Sequence, residues 1–263
     1  MDIKLSLASL LVGIVVGMTG VGGAALMTPL LILVFNIPGS IAIGSDVVSA
    51  TLMKVVGGYK HWQQGTVDLE VVRWLALGSI PGSFAGIGAI FAARSLGIAQ
   101  LDMMLIHVVG FVLIGVSSLY LGRLIFSRYL KFKLPDSPKF DLSTTTGRIL
   151  SMVVGFILGA IVGLTSVGSG SLFAVALLLF FRLDPWKLVG TDIVQAAILL
   201  IFTSIGHASL GNINWQLVLP IWLGTVPGVL IGAKLCPLVP KTALQVTLYS
   251  LLLMVGWQML TKI

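Results

Sequence analysis

Charged residues are what this sequence has least of. Only 10% of its 263 residues are charged and 57% are hydrophobic, whereas about a quarter of the residues in an ordinary soluble domain are charged. This composition predicts a polytopic membrane protein. The net charge of +7 would suggest nucleic acid as the partner of a soluble protein. Here most of the excess lies in one loop, so membrane orientation explains it better, and we expect no nucleic-acid partner.

Cysteine and histidine are also scarce. The single cysteine, Cys236, excludes a disulfide within the chain and a cysteine-cluster metal site. The three histidines, His61, His107 and His207, show no HExxH-type spacing. An enzyme would need an acid/base or metal constellation that these residues do not form. We therefore expect no enzyme, no metal and no cofactor.

Two glycine-rich strings organise the chain: GMTGVGGAALMTPL at 17–30 and GLTSVGSGSLFAVA at 163–176. Each lies in an apolar stretch longer than the roughly 20 residues that one membrane crossing uses. Because glycine tolerates unusual backbone angles, the strings predict broken helices that line a cavity. The alternative is close helix packing through small residues. The glycines predicted to break the helices are Gly17, Gly20, Gly22, Gly23, Gly163, Gly168 and Gly170.

The chain contains an internal repeat. Residues 17–86 align with residues 163–232 without a gap, and identical pairs include Asp46 with Asp192 and His61 with His207. Such a repeat predicts two homologous halves, 1–127 and 147–263, joined by a basic linker at 128–146. In each half a broken stretch is followed by three spans. The predicted segments are 5–35, 41–60, 71–92 and 103–126, then 149–181, 188–207, 215–235 and 242–260.

Lysine and arginine placement predicts the orientation of the halves, because cytoplasmic loops carry the excess of these residues. If each broken stretch is a hairpin that enters and leaves on one side, the linker's side carries a larger excess than if each stretch crosses once. The hairpin gives each half an odd number of crossings. This predicts an all-α inverted repeat, an architecture of secondary transporters with the substrate site at the repeat interface.

The order and duplication of several motifs are familiar: GMTGVGGAALMTPLL, GSDVVSATL, HWQQG and GSIPGSFAG, with the echoes GLTSVGSGSL, GTDIVQAA, GHASLGNINW and GTVPGVLIGA. The chain resembles the TauE/SafE family of membrane permeases, the sulfite exporter family, over essentially its whole length. The resemblance implies export of small sulfur-containing anions, sulfite or organosulfonates such as sulfoacetate, across the cell (inner) membrane. A permease or channel for another small anion or a carboxylate metabolite is the alternative. The halves differ at three matched positions: Gly23/Ser169, Lys54/Leu200 and Ser49/Gln195.

Helix N-termini at the breaks are predicted to bind the anion, because their unpaired amides and dipole favour negative charge. Hydroxyl groups add donors, unless they bond instead to a carbonyl one turn away, an alternative that stays open. The predicted substrate-binding residues are Thr19, Gly20, Gly22, Gly23, Thr165, Ser166, Gly168, Ser169 and Gly170.

Charged and titratable residues inside the spans form a second group of candidates. Asp46 and Asp192 are predicted to open spans, either as an N-cap or brace of the broken helices or as sites of proton coupling. Lys54 either pairs with one of these aspartates or offers its charge to the anion. His61 and His207 are predicted at span ends, as interfacial hydrogen-bonding residues or as relays. The oligomeric state, including a homodimer, stays open.

Overall fold

A computed structural model describes residues 3–19, 22–129, 139–235 and 241–261. These residues form ten α-helices and, within those ranges, no strand. The helices are α1 Ile3–Thr19, α2 Ala24–Leu33, α3 Gly39–Gln63, α4 Leu69–Ser95, α5 Leu101–Tyr129, α6 Thr145–Thr165, α7 Ser171–Phe180, α8 Pro185–Ser209, α9 Trp215–Leu235 and α10 Lys241–Thr261.

Seven of the helices are long and apolar enough to cross a membrane: α3, α4, α5, α6, α8, α9 and α10. Six of them are the predicted spans, three in each half. The seventh is α6, the first limb of the second broken stretch, whose 21 residues extend about 31 Å. The prediction of an all-α polytopic fold is confirmed, and the chain is a multi-pass membrane protein.

Both predicted breaks are present, and both are shorter than the glycine-rich strings. The first lies between Thr19 and Ala24, and the second between Thr165 and Ser171. The prediction that Gly17 and Gly163 break the helices is wrong, since they lie inside α1 and α6. They serve helix packing, the alternative that the sequence left open. A methyl group added at Gly163 would lie 2.3 Å from a carbonyl oxygen of α4, and one added at Gly232 of α9 would lie 3.0 Å from Cα of Gly17.

Equivalent helices of the two halves run antiparallel where they pack. In the α3–α8 pair, Gly44 contacts Asn212 while Gly58 contacts Val194, so residue numbers rise in opposite directions. The α5–α10 pair shows the same relation, because Gly110 lies beside Leu260 and Tyr120 stacks on Tyr249. An inverted repeat requires this relation. The orientation of the halves across a membrane and the repeat boundaries stay predictions; linker residues 130–138 lie outside the described ranges.

The first limb of each broken stretch packs in parallel against a span of the other half. Residue numbers rise together in the α1–α9 pair and in the α4–α6 pair. A short turn joins α8 to α9, so α9 runs opposite to α8 and in the direction of α3. Helix α1 therefore runs in the direction of α3, and α2 must bring the chain back between them. This path is that of a re-entrant hairpin.

Glycine makes these parallel pairs possible. A methyl group added at Gly78, Gly82 or Gly159 would lie 1.9 to 2.1 Å from a backbone carbonyl oxygen of the facing helix in the α4–α6 pair. No side-chain atom fits at such a distance. Small residues that allow backbones to approach are the usual means by which helices associate in membranes, so each pair is a closely packed unit.

We expect Gly159→Ala to lower the melting temperature of the purified protein in detergent. The added methyl group would meet the carbonyl oxygen of Ser79 at 2.1 Å, and overpacking of this kind costs about 1–3 kcal/mol. Gly88→Ala is the matched control, because no neighbouring atom lies within 4 Å of its added methyl group. Equal melting temperatures for the two variants would contradict the packing described here.

Candidate anion-binding site

The two broken stretches meet at a contact between bare backbones. A methyl group added at Gly170 would lie 3.1 Å from both Cα and N of Gly22. Gly22 precedes α2 and Gly170 precedes α7, so the contact joins the two halves. Side chains would hold the chains apart here, and glycine on both sides lets the two breaks touch.

Two helix N-termini therefore lie side by side. The N-cap residues of α2 and α7 are Gly23 and Gly170, and neither helix has a side-chain cap. Within the described part of the chain, the amides of Gly22, Gly23, Ser169, Gly170 and Ser171 have no hydrogen-bond acceptor. Unpaired amides and the positive ends of two helix dipoles favour an anion at this point.

The ammonium group of Lys54 lies at the same contact. Its Nζ would be 3.1 Å from a methyl group added at Gly170, and it is 3.7 Å from Oδ2 of Asp192. Both side chains are largely buried, with exposed fractions of 15% and 10%. Of the partners that the sequence left open for Lys54, the structure shows Asp192. The lysine comes from α3 and the aspartate from α8, so this ion pair also joins the halves.

One oxygen of Asp192 is left without a partner. Its Oδ1 atom is buried and accepts no hydrogen bond from any described residue. Native proteins satisfy most buried polar atoms, so an exception of this kind needs an explanation. The atom lies in the part of the molecule where the unpaired amides and Lys54 are also found.

Asp46 has a different environment from Asp192. Its Oδ2 accepts hydrogen bonds from Thr28 Oγ1 at 2.6 Å and from Ser166 Oγ at 3.0 Å. Thr28 belongs to α2 and Ser166 ends α6, so one carboxylate ties the first broken stretch to the second. Sequence reasoning missed Thr28, because the matched residue of the second half is Ala174 and the repeat gave no signal there.

The prediction that Asp46 and Asp192 open their spans as N-caps is wrong. Helix α3 begins at Gly39 and α8 at Pro185, so both aspartates lie two turns inside a helix. Pro185 is the first residue of α8, a position where its fixed φ and missing N–H suit a helix start. The Gly-Ser and Gly-Thr pairs before the aspartates continue the helix instead of beginning it.

The threonines at the ends of α1 and α6 bond to their own helices. Thr19 Oγ1 donates to the carbonyl of Val15 at 2.8 Å, and Thr165 Oγ1 donates to that of Ile161 at 2.7 Å. A hydroxyl group has one proton to donate, so neither threonine offers it to an anion in this conformation. This is the back-bonding alternative that the sequence left open.

The turn of the second break contains two left-handed residues. Ser166 has φ of 62° and Gly168 has φ of 105°, and together they end α6 and reverse the chain. Gly168 shapes this turn, because a methyl group there would meet the side chain of Leu172. Ser169 is buried, and its hydroxyl has no hydrogen-bond partner in the described ranges. Gly20, the remaining predicted site residue, lies outside those ranges.

The opposite end of α7 is held by Lys139, whose Nζ donates to the carbonyls of Leu178 and Leu179 at 2.7 and 3.0 Å. A cation at a helix C-terminus complements the dipole. In the same segment, the N–H and hydroxyl of Ser143 donate to Asp141 and lower the pKa of that carboxyl group below its ordinary value. The Lys139 contacts hold the C-terminal end of α7, the end opposite to Gly170.

The two matched histidines have different surroundings. His207 is fully buried, and its Nε2 lies 2.9 Å from the carbonyl oxygen of Gly163, so this nitrogen donates. The prediction of an interfacial residue is wrong for His207, because the turn after α8 folds over it: Asn212 lies against its Nδ1 at 3.4 Å. His61 is partly exposed and bonds to Thr66 at 2.9 Å. No described His, Cys, Asp and Glu side chains form a group of three that could hold a metal.

A small cavity lies beside the first break, between α1, α2, α3 and α9. Gly23, Asp46 and Ser49 are among its lining residues, and its volume is about 10 Å³. That is room for about one water molecule. A sulfonate does not fit in this cavity, and a larger solute can enter it only when the surrounding helices separate.

Comparison with known sequences identifies the family of this chain. The sequence model described as "Sulfite exporter TauE/SafE" matches residues 5–259. The chain belongs to this family. A relative from Bacillus subtilis (strain 168), "Probable membrane transporter protein YjnA", is 38% identical over 260 residues, covering 99% of this chain and 100% of its own length.

Other relatives are less similar in sequence. "Probable membrane transporter protein YdhB" of Bacillus subtilis (strain 168) is 26% identical over 92% of this chain and 94% of its own length. A "Probable membrane transporter protein" of Xylella fastidiosa (strain Temecula1 / ATCC 700964) is 25% identical over 86% of this chain and 81% of its own length. No solved structure matches the chain.

Proposed function

We propose that this chain is a secondary transporter that exports small sulfur-containing anions, sulfite or organosulfonates such as sulfoacetate, by alternating access. The family description names sulfite export, and the relatives are named as probable membrane transporters. One observation carries the proposal: two uncapped helix N-termini meet at Gly22 and Gly170 beside the ammonium group of Lys54.

The chemistry of the contact suits a sulfur oxyanion. Sulfite and sulfonates spread one or two negative charges over three oxygens, so they need donors from several directions. The unpaired amides of Gly22 and Gly23 belong to one half and those of Ser169 and Gly170 to the other, and the two halves touch at Gly22 and Gly170. Lys54 adds a full positive charge, and charge-assisted hydrogen bonds are roughly twice as strong as neutral ones.

The packing supplies units that can move. The α1–α9 and α4–α6 pairs are held by glycine contacts too tight to slide, and each pair joins a limb of one broken stretch to a span of the other half. We expect each pair to move as a rigid body against the α3–α8 pair, which carries Lys54 and both aspartates. Rocking of this kind around a fixed central site is the usual form of alternating access.

The alternative is a permease or channel for another small anion or a carboxylate metabolite. The cavity beside Gly23 is too small for a sulfonate, which favours a carrier over an open channel. We also infer that the chain transports its solute without catalysing a reaction on it, in keeping with the names of its relatives.

Sulfoacetate or sulfite is expected to raise the melting temperature of the purified protein, with taurine, sulfate and chloride at equal ionic strength as comparisons. In proteoliposomes, flux of the stabilising anion should saturate with concentration, because a carrier binds one anion in each transport cycle and the rate of cycling is limited. Flux that rises without limit would favour a channel. Stabilisation by carboxylates and by none of the sulfur anions would contradict the proposed substrate class.

A further inference from the structure

We propose that the Lys54–Asp192 ion pair couples transport to protons: the anion replaces Asp192 as the partner of Lys54, and Asp192 then takes up one proton. This inference rests on the proposed function, because it requires that an anion binds where the two breaks meet. It adds a coupling ion and a fixed ratio of one proton for each monovalent anion.

The first support is the position of Lys54. Its Nζ lies 3.7 Å from Oδ2 of Asp192 and also beside Gly170, the uncapped N-terminus of α7. A tight charge-assisted hydrogen bond has a length of about 2.7–2.9 Å, so the pair is loose. An anion held by the amides of Ser169 and Gly170 would share the same ammonium group and compete with Asp192 for it.

The second support is the difference between the two buried aspartates. Two hydroxyl groups donate to Asp46, and they can hold it whether or not an anion is bound. Asp192 has only the ion pair, and its Oδ1 is buried with no partner in the part of the chain that the structure describes. When Lys54 turns to the anion, nothing described is left to compensate the charge of Asp192.

Counting charges shows why a proton must accompany the anion. The empty site holds Lys54 as a cation and Asp192 as an anion, so its net charge is zero. A monovalent anion alone would make the net charge −1, and an uncompensated charge inside a membrane protein is costly. If a proton from solvent binds a carboxylate oxygen of Asp192, the net charge is zero again. Anion and proton then bind together and leave together.

Other charged groups near α8 do not replace Lys54 as partners of Asp192. Lys54 is the described cation that forms an ion pair with this carboxylate. Asp68 lies near α8, because its N–H donates to Thr191, the residue before Asp192, but its carboxylate accepts the N–H of Val71 at the start of α4. Helix α7 has no titratable residue. The remaining titratable residues on α8 and on the helices packed against it are Asp46, Tyr59, Lys60, His61, Glu70, Arg73, Arg94, Arg148, Lys187 and His207.

A buried ion pair of this kind occurs once in the described part of the chain. The residue matched to Lys54 in the second half is Leu200, which is fully buried in the apolar core, and none of the described cations forms an ion pair with Asp46. A ratio of one proton for each anion follows, in place of two. Direction is then set by both gradients: export proceeds when the outward gradient of the anion exceeds the inward gradient of the proton.

The test is the pH dependence of anion affinity in the full-length protein, with methanesulfonate as the probe because its charge is constant. For the wild type we expect the dissociation constant to fall as pH falls, approaching about tenfold per pH unit, the slope for one bound proton. Asp192→Asn should bind methanesulfonate with no pH dependence, because its amide is neutral at every pH. Glu70→Gln, which removes an exposed carboxylate of α4, is the matched control and should keep the wild-type slope.

A second measurement uses only the wild type, so it stays decisive if Asp192→Asn does not fold. When methanesulfonate is added to wild-type protein in weak buffer, the protein should take up one proton for each anion bound, and the pH of the solution should rise accordingly. Wild-type binding that is independent of pH, or a wild-type slope in Asp192→Asn, would overturn the coupling and leave the proposed function intact. Absence of binding by sulfite, sulfoacetate and methanesulfonate at every pH would overturn the proposed function and the coupling with it.

Discussion

Lys54→Leu is expected to weaken sulfonate binding by about 10- to 100-fold, since a hydrogen bond to a charged group is worth about 1.5–3 kcal/mol. Leucine is the residue that the second half carries at the matched position, Leu200, so it suits the apolar surroundings of a span. The substitution removes the positive charge beside Gly170 and leaves the amides of both breaks in place. Titration of the melting temperature with methanesulfonate measures the loss.

The single variant also leaves Asp192 without its cation, which should destabilise the protein by about 3 kcal/mol. The double variant Lys54→Leu/Asp192→Asn separates the two effects, because it removes both charges of the pair. We expect it to recover the melting temperature of the wild type and to remain defective in anion binding. Recovery of binding in the double variant would show that Lys54 serves only to neutralise Asp192.

Gly170→Ala is expected to weaken sulfonate binding about tenfold, a change of about 1.4 kcal/mol. Its methyl group would lie 3.1 Å from the backbone of Gly22 and 3.1 Å from Nζ of Lys54. At that distance the neighbouring atoms must move, so the breaks separate and the ammonium group is displaced. The donors of the site would then no longer converge on one position.

Gly22→Ala provides the matched comparison for this contact. Its methyl group would lie 3.5 Å from Cα and N of Gly170, which is ordinary van der Waals contact, and binding should change by less than about threefold. Gly88→Ala, which meets no atom within 4 Å, controls for the effect of alanine in a span. The same loss of affinity in Gly22→Ala and Gly170→Ala would contradict the geometry of the site.

The sequence predicted the six spans and the two breaks because each rests on local physics. Apolar length fixes how many crossings a chain makes, and a charge-free stretch too long for one crossing must be interrupted. The sequence could not say which glycines break a helix and which pack one. Gly17 and Gly22 differ in their neighbours: Gly17 contacts α9, and Gly22 contacts Gly170.

The helix starts at Gly39 and Pro185 were also missed, and with them the places of Asp46 and Asp192 inside their helices. A Gly-Ser or Gly-Thr pair before an aspartate predicts a helix start, because these residues are preferred at the N-cap position. In the folded chain, tertiary packing extends α3 and α8 through these pairs. Helical stability in proteins comes mostly from such packing, which a single sequence does not display.

By itself the sequence determined the membrane class, the duplication and the approximate place of the breaks, since composition, repetition and apolar length can all be read from the linear order of residues. Only the tertiary structure decided that Gly22 touches Gly170, that Lys54 pairs with Asp192 and that Thr28 and Ser166 share Asp46. The Gly22–Gly170, Lys54–Asp192 and Asp46–Ser166 contacts each join the two halves of the chain. Their geometry depends on how one half is turned against the other, and no local pattern of residues encodes that relation.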